Sequence, residues 1–116
     1  MGKAGGISIH AVDVATGRVA EGLAITLRRL EPEPMTVAQG RIGSNGLLDH
    51  PSANGAGITA GLYEVRFLVG AYLAASGREA AFLDEVPFRF QLRNIEEHYH
   101  LPFKFTPFGF SLFRGA

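Results

Sequence analysis

Two histidines separated by one residue, His98 and His100, and a third far upstream, His10, are the residues of this chain best suited to chemistry. With a pKa near 6.5, imidazole both takes and gives protons at neutral pH, so a pair suits general acid–base work on water and a leaving group. The same His-x-His pair with a distant histidine could instead hold zinc with a fourth position open. Against both stands a plainer reading, in which each strand histidine is a satisfied polar residue and nothing more. Other catalytic signals are missing. The chain has no cysteine, no Gly-x-Ser-x-Gly elbow and no glycine loop placed to cradle phosphate. Asp84-Glu85 and Glu96-Glu97 are adjacent carboxylates that diverge on a strand, so they read as solvated charges. His50, beside Pro51, reads as a solvated loop residue.

The elements that must position these histidines are strands. Residues two apart in a strand share a face, so His98, His100, Pro102 and Lys104 lie on one side of the segment 98–105. Tyr99, Leu101, Phe103 and Phe105 lie on the other, which is apolar enough to be a core face. Ile7 to Asp13 alternates likewise, with Ile7, Ile9 and Ala11 inward and Ser8, His10 and Val12 on the less apolar side. After a turn at Thr106-Pro107, Phe108, Phe110 and Leu112 read as core, with Ser111, Phe113 and Gly115 opposite.

Between the ends the pattern remains β. Leu23 to Leu30 is a strand with Leu23, Ile25 and Leu27 inward, followed by the stiff connection Glu31-Pro32-Glu33-Pro34. Met35 to Ile42 is a weaker strand. Asn45-Gly46 predicts a type I′ hairpin turn, leading to a short strand at 47–50 and a glycine-rich loop at 52–57. Leu62 to Val69 is a strong strand, and Ala71 to Ala75 a short helix closed by Ser76-Gly77. Phe82 to Leu92 is a further strand that Pro87 places at an edge or a strand start. Seven or eight short, evenly spaced strands and one helix indicate an all-β antiparallel sandwich.

The totals narrow the function. At 116 residues the chain makes one domain, with roughly two-thirds of its unfolded surface buried. We expect a flexible N-terminus over 1–6 and a single domain over 7–116. Eleven basic and eleven acidic residues balance, with no basic run, which argues against nucleic-acid or membrane partners. No apolar leader or stretch of eighteen apolar residues is present, so a soluble, cytoplasmic protein is expected.

Several segments taken together resemble a known family. Ile9-His10-Ala11-Val12-Asp13 with Thr16-Gly17-Arg18, then Gly61-Leu62-Tyr63 and Gly70-Ala71-Tyr72, are the first. His98-Tyr99-His100-Leu101-Pro102, Thr106-Pro107-Phe108-Gly109-Phe110-Ser111 and the terminal Arg-Gly complete the set. From about Gly6 to Ala116 they are similar, in order, to the 5-hydroxyisourate hydrolases, the transthyretin-like proteins of purine catabolism. The resemblance implies two four-stranded sheets with one short helix, and a homotetramer whose channel holds active sites at subunit interfaces. It implies ring opening of 5-hydroxyisourate by histidine-activated water, without cofactor or metal. The family's two channel histidines fall on His10 and His100, with His98 one pleat away.

The chain departs from the family at several positions, and at Leu47, Phe113 and Ala116 the change is from polar to apolar. Leu47 stands where the family has arginine after the Asx-Gly turn. The terminus reads Phe113-Arg114-Gly115-Ala116 where the family has Tyr-Arg-Gly-Ser. Lys104 replaces a usual leucine and Leu112 a usual threonine. A cationic donor and two hydroxyls have thus become apolar groups, and losing a preorganised donor costs about 10²–10³ in rate. Arg41, Arg66 and Arg114 are candidate replacements, and Lys104 is either a substitute cation or a source of repulsion between subunits. Three readings follow. One is a hydrolase acting on 5-hydroxyisourate or on an N-methylated form of it, with His98, Leu47, Phe113, Arg114, Gly115 and Ala116 against the substrate. The alternative is an inactive protein binding an apolar or aromatic small molecule in the channel. The third is a structural sandwich with no pocket chemistry.

Overall fold

The computed structural model describes residues 4–115. Eight strands and one helix follow in order. They are β1 (Ile7–Asp13), β2 (Arg18–Val19), β3 (Ala24–Glu31), β4 (Met35–Arg41), β5 (Gly61–Leu68), α1 (Val69–Ala75), β6 (Glu85–Leu92), β7 (Tyr99–Thr106) and β8 (Gly109–Leu112). They form two four-stranded sheets, ordered β2-β1-β7-β8 and β4-β3-β5-β6. The expected all-β sandwich is therefore present. Its one parallel pair is β1 with β7, joining the two ends of the chain.

Alternation decides which side of each strand is buried. Ile7, Ile9 and Ala11 of β1 and Tyr99, Leu101, Phe103 and Phe105 of β7 are buried, facing Ile25, Leu27, Val65 and Phe67 of the other sheet. Phe67 and Phe103 stack across the gap with ring centroids 3.9 Å apart. Burying an aromatic or branched side chain contributes about 1.5–3 kcal/mol, and a one-residue slip would expose the whole apolar set. The core thus sets the register of β1 on β7. Hydrogen bonds continue this pairing beyond both ends of β1, from Tyr99 N to the Gly6 carbonyl at 2.9 Å and from Val14 N to that of Phe105 at 2.8 Å. Gly5 N also donates to the Ile95 carbonyl at 2.8 Å. Among the described residues no helix is long and apolar enough to cross a membrane.

Several local expectations change. The turn after β4 is not type I′, which needs positive φ at both central residues. Only Gly46 has it, at +82°. Gly46 N donates to the Gly43 carbonyl at 3.0 Å, so Ser44 and Asn45 sit in ordinary φ and the glycine takes the left-handed position after them. The short strand at 47–50 is only a pair of bridges at Leu47 and Leu48. The glycine-rich loop carries a 3₁₀ turn over Pro51–Asn54, and half-buried His50 caps it by accepting from Ser52 N at 3.1 Å. β6 begins at Glu85, because Leu83 N donates to the Pro107 carbonyl and the Asp84 carbonyl accepts from Gly70 N. Phe108 and Phe110 are not core. They are 71% and 50% exposed, since Phe108 lies in the turn before β8 against the equally exposed Phe82, and Phe110 sits on a four-residue edge strand with its ring 5.9 Å from that of Phe103.

Asp13 closes β1. Its buried carboxylate accepts from the Arg78 guanidinium and from Tyr72 Oη. Burial alone would push this carboxyl up, but those hydrogen bonds and the Arg78 charge outweigh it and hold it below its usual 3.8. A carboxyl lowered in the folded state stabilises above its unfolded pKa and ceases to do so as pH falls through the folded value. Asp13→Asn is expected to cost ~2–3 kcal/mol at neutral pH. Urea denaturation should show the gap from the parent protein closing as pH drops through the lowered Asp13 value.

Candidate active site

The histidine face is the outer side of the β2-β1-β7-β8 sheet. Parallel pairing sets Ser8 abreast of His100, His10 abreast of Pro102 and Val12 abreast of Lys104. Antiparallel β8 then sets Ser111 beside Lys104. Two further segments border the histidines. Leu47 bridges to His10 on the side away from β7, with Ala11 N donating to the Gly46 carbonyl and Leu48 N to that of Ile9, each at 3.0 Å. Beyond β8, Gly115 returns to His100 and donates its N–H to the His100 carbonyl at 2.7 Å.

The border at Gly46, where φ is +82°, is tight enough to require glycine, and the one at Gly115 is close. A Cβ on Gly46 would lie 2.6 Å from His10 Nε2, and one on Gly115 3.0 Å from His100 Cδ2. The His10 ring thus packs on the Gly46 backbone and the His100 ring on the terminal Gly115. The two imidazoles lie side by side, with centroids 6.5 Å apart and planes inclined at 36°. Ser8 Oγ is within hydrogen-bonding distance of His98 Nε2, at 2.8 Å, and of His100 Nδ1, at 2.7 Å. The other nitrogen of His98, Nδ1, lies 2.6 Å from the Gly5 carbonyl oxygen. Burial, then the charges of His10 and His98, lower the pKa of His100 below its ordinary 6.5. His100 is therefore neutral at neutral pH, the state of a base.

The remaining candidates divide. Leu47, 36% exposed, and Phe113, 50% exposed, give the face apolar borders, and Lys104 is exposed on it. Arg114 turns away, donating to Glu97 at 2.8 Å and to the His98 carbonyl at 3.2 Å while its guanidinium lies over the Tyr99 ring. Arg41 donates to the Gly22 carbonyl, and Arg66 is paired with Glu64 and Glu85. None of these three arginines hydrogen-bonds to an imidazole of the histidine cluster, although Arg114 reaches the His98 backbone. Ala116 lies outside the described residues. Among the described residues no three His, Asp or Glu side chains converge as a metal site. Ser8 is the residue that sequence reasoning passed over. Its strand face was legible, but its link to His98 and His100 depends on a pairing across about ninety residues.

Fold and site now bear comparison with known proteins. The family profile described as Transthyretin, HIUase/Transthyretin family, matches residues 7–115. The chain belongs to this family. The 5-hydroxyisourate hydrolase 2 of Rhizobium meliloti is 38% identical, over the full length of both chains. The crystal structure of an (S)-allantoin synthase superposes with a TM-score of 0.90 at 34% identity, covering 99% of this chain and 45% of that longer one. The present chain thus spans under half of that protein. The 5-hydroxyisourate hydrolase of Klebsiella pneumoniae superposes with a TM-score of 0.79 at 33% identity over the whole of both chains. Sea bream transthyretin in complex with thyroxine shares the fold, with a TM-score of 0.83 at 20% identity, over 95% of this chain and 94% of that one.

The glycine beneath His10 makes a direct test of this geometry. Gly46→Ala adds a Cβ both in the left-handed region and against the imidazole, so it should cost at least ~1–2 kcal/mol. We expect a lower urea midpoint together with a shifted His10 ring resonance. An unmoved His10 signal would mean that the ring does not rest on Gly46.

Proposed function

We propose that this chain is a hydrolase that opens the ring of 5-hydroxyisourate, or of an N-methylated 5-hydroxyisourate, in urate or methylxanthine breakdown. The observation that carries the reading is the His10–His100 pair, two imidazoles 6.5 Å apart on one open sheet face, in a chain whose relatives bear the hydrolase name. His100, kept neutral by burial and by its neighbours, takes a proton from water at Nε2 as the water oxygen bonds to the ring carbonyl carbon. His10 then gives a proton to the departing ring nitrogen as the carbon–nitrogen bond breaks. Backbone N–H groups, and Lys104 exposed further along the same sheet face, are the candidate donors for the developing oxyanion. No cofactor enters this scheme.

A lone sheet face cannot enclose a substrate. The clefts of one chain between Phe88, Phe90, Tyr99 and Arg114 and beside Leu47, Leu48 and His50 do not take in His10 or His100. We infer a cytoplasmic homotetramer in which copies close over the histidine face and complete the site. Leu47, Phe113 and Ala116 would then offer apolar surface in place of an arginine and two hydroxyls. Each buried methyl on the substrate gains about 0.8 kcal/mol from such contacts, while groups built to pair an N–H would be left unsatisfied by it. Leu47 abreast of His10 is the contact that favours the methylated ring. The same apolar border supports the alternative, a catalytically inactive protein that binds an apolar or aromatic molecule.

Ultraviolet decay of freshly made 5-hydroxyisourate and of its N-methyl analogue separates these readings. We expect the methylated ring to decay faster with protein, and Leu47→Arg to move the preference toward the unmethylated one. His10→Ala and His100→Ala should each lower turnover by at least about tenfold. Because the base must be unprotonated, activity is lost as pH falls through the His100 value, so the acid limb should have its midpoint below 6.5. Acceleration of neither ring would leave the small-molecule binder.

A further inference from the structure

The chain of contacts through Ser8 has a direction. The Gly5 carbonyl oxygen, 2.6 Å from His98 Nδ1, only accepts, so Nδ1 carries a proton. In a neutral His98 the other nitrogen, Nε2, is then bare and must accept. Ser8 has one hydroxyl proton, and Nε2 at 2.8 Å claims it. The Ser8 oxygen is left to accept, and the group 2.7 Å away is His100 Nδ1, which must therefore be the protonated nitrogen of His100. A neutral His100 with Nδ1–H has its lone pair on Nε2. One backbone carbonyl, acting through two side chains, thus decides which nitrogen of His100 can act as a base.

We infer that Ser8 and His98 form a proton relay behind His100, fixing its tautomer and carrying away the proton it displaces. This rests on the reading of His100 as the base. As Nε2 gains a proton from water, the Nδ1 proton passes to Ser8 Oγ and the Ser8 proton passes to His98 Nε2. The hydroxyl is regenerated with its proton now toward His100 Nδ1. His98 becomes the imidazolium, still donating from Nδ1 to Gly5, and protons balance at each step. The positive charge is thereby moved from half-buried His100 to exposed His98, where water can solvate it and later take the proton. His10 faces this path from β1, its ring 6.5 Å from that of His100, and Lys104 lies further along the same face of β7. On the solvent side Glu97 is held by Arg114. Ser8 touches no reacting atom and is a positioning residue.

The test is ¹⁵N spectroscopy of the histidine rings at a pH where all are neutral, with turnover measured in parallel. In the parent protein His100 should show a protonated Nδ1 and a bare Nε2, and His98 likewise. Ser8→Ala should release His100 toward the Nε2–H form that unconstrained histidine prefers. It should also lower kcat by at least about tenfold at unchanged KM, and Ser8→Thr, which keeps the hydroxyl, should restore both. A parent His100 protonated at Nε2 would overturn the relay without any variant. So would a Ser8→Ala protein whose His100 tautomer or kcat is unmoved. A parent protein with the expected tautomers that opens neither ring would remove the relay's catalytic part, and the hydrolase reading with it, while leaving the hydrogen-bonded chain intact. The two failures are thereby told apart.

Discussion

The parallel pairing of β1 with β7 is the constraint on which the rest of the structure depends. It joins residues about ninety positions apart, so its loop-closure cost has to be met by what the pair buries. Ile7, Ile9 and Ala11 on one strand and Tyr99 to Phe105 on the other supply that burial. Because side chains alternate, the same register that sends these residues inward must send Ser8, His10 and His100 outward. The core and the candidate site are therefore two faces of one decision. Asp13 with Arg78 and Tyr72 closes one end of β1, and the Gly5 and Gly6 backbone holds the other.

Around this pair, backbone rather than side chains builds the walls. The segment 46–48 runs beside His10, and the return at Gly115 runs beside His100. At Gly46 a left-handed glycine lets main chain approach the His10 ring more closely than any other residue would allow, and Gly115 lies close against the His100 ring. Neighbouring backbone and rings also take water away from His100, which is why its protonated form is disfavoured. The chemistry of the face is thus set by packing as much as by the identity of its histidines.

The apolar borders at Leu47 and Phe113 bear on ligand choice more than on the fold. Both are partly exposed in the single chain, and neither is needed to fill the core. The arginines that charge alone would nominate as replacements are engaged elsewhere, most plainly Arg114 with Glu97 and the Tyr99 ring. In the proposed reaction, a developing oxyanion would need other donors, and apolar groups on a substrate would meet these borders.

The sequence by itself determined the sandwich, because alternating apolar residues at period two admit little else for strands this short. It also determined that His10, His98 and His100 lie off the core face, since alternation assigns faces without knowing which strands are neighbours. The family's motifs pointed to His10 and His100 as partners. Finer features were less legible. Asn45-Gly46 signals a turn, but the turn type follows from which residue takes positive φ, and only Gly46 does. Phe108 and Phe110 alternate like core residues yet are exposed, because one lies in the turn before the edge strand β8 and the other on that strand at the margin of its sheet. Only the tertiary structure decided that Ser8 links His98 to His100, that Arg114 turns from the face and that glycine backbone lies against both imidazoles. Each is a contact between segments far apart in the chain, and local periodicity carries no information about which distant strand will lie alongside.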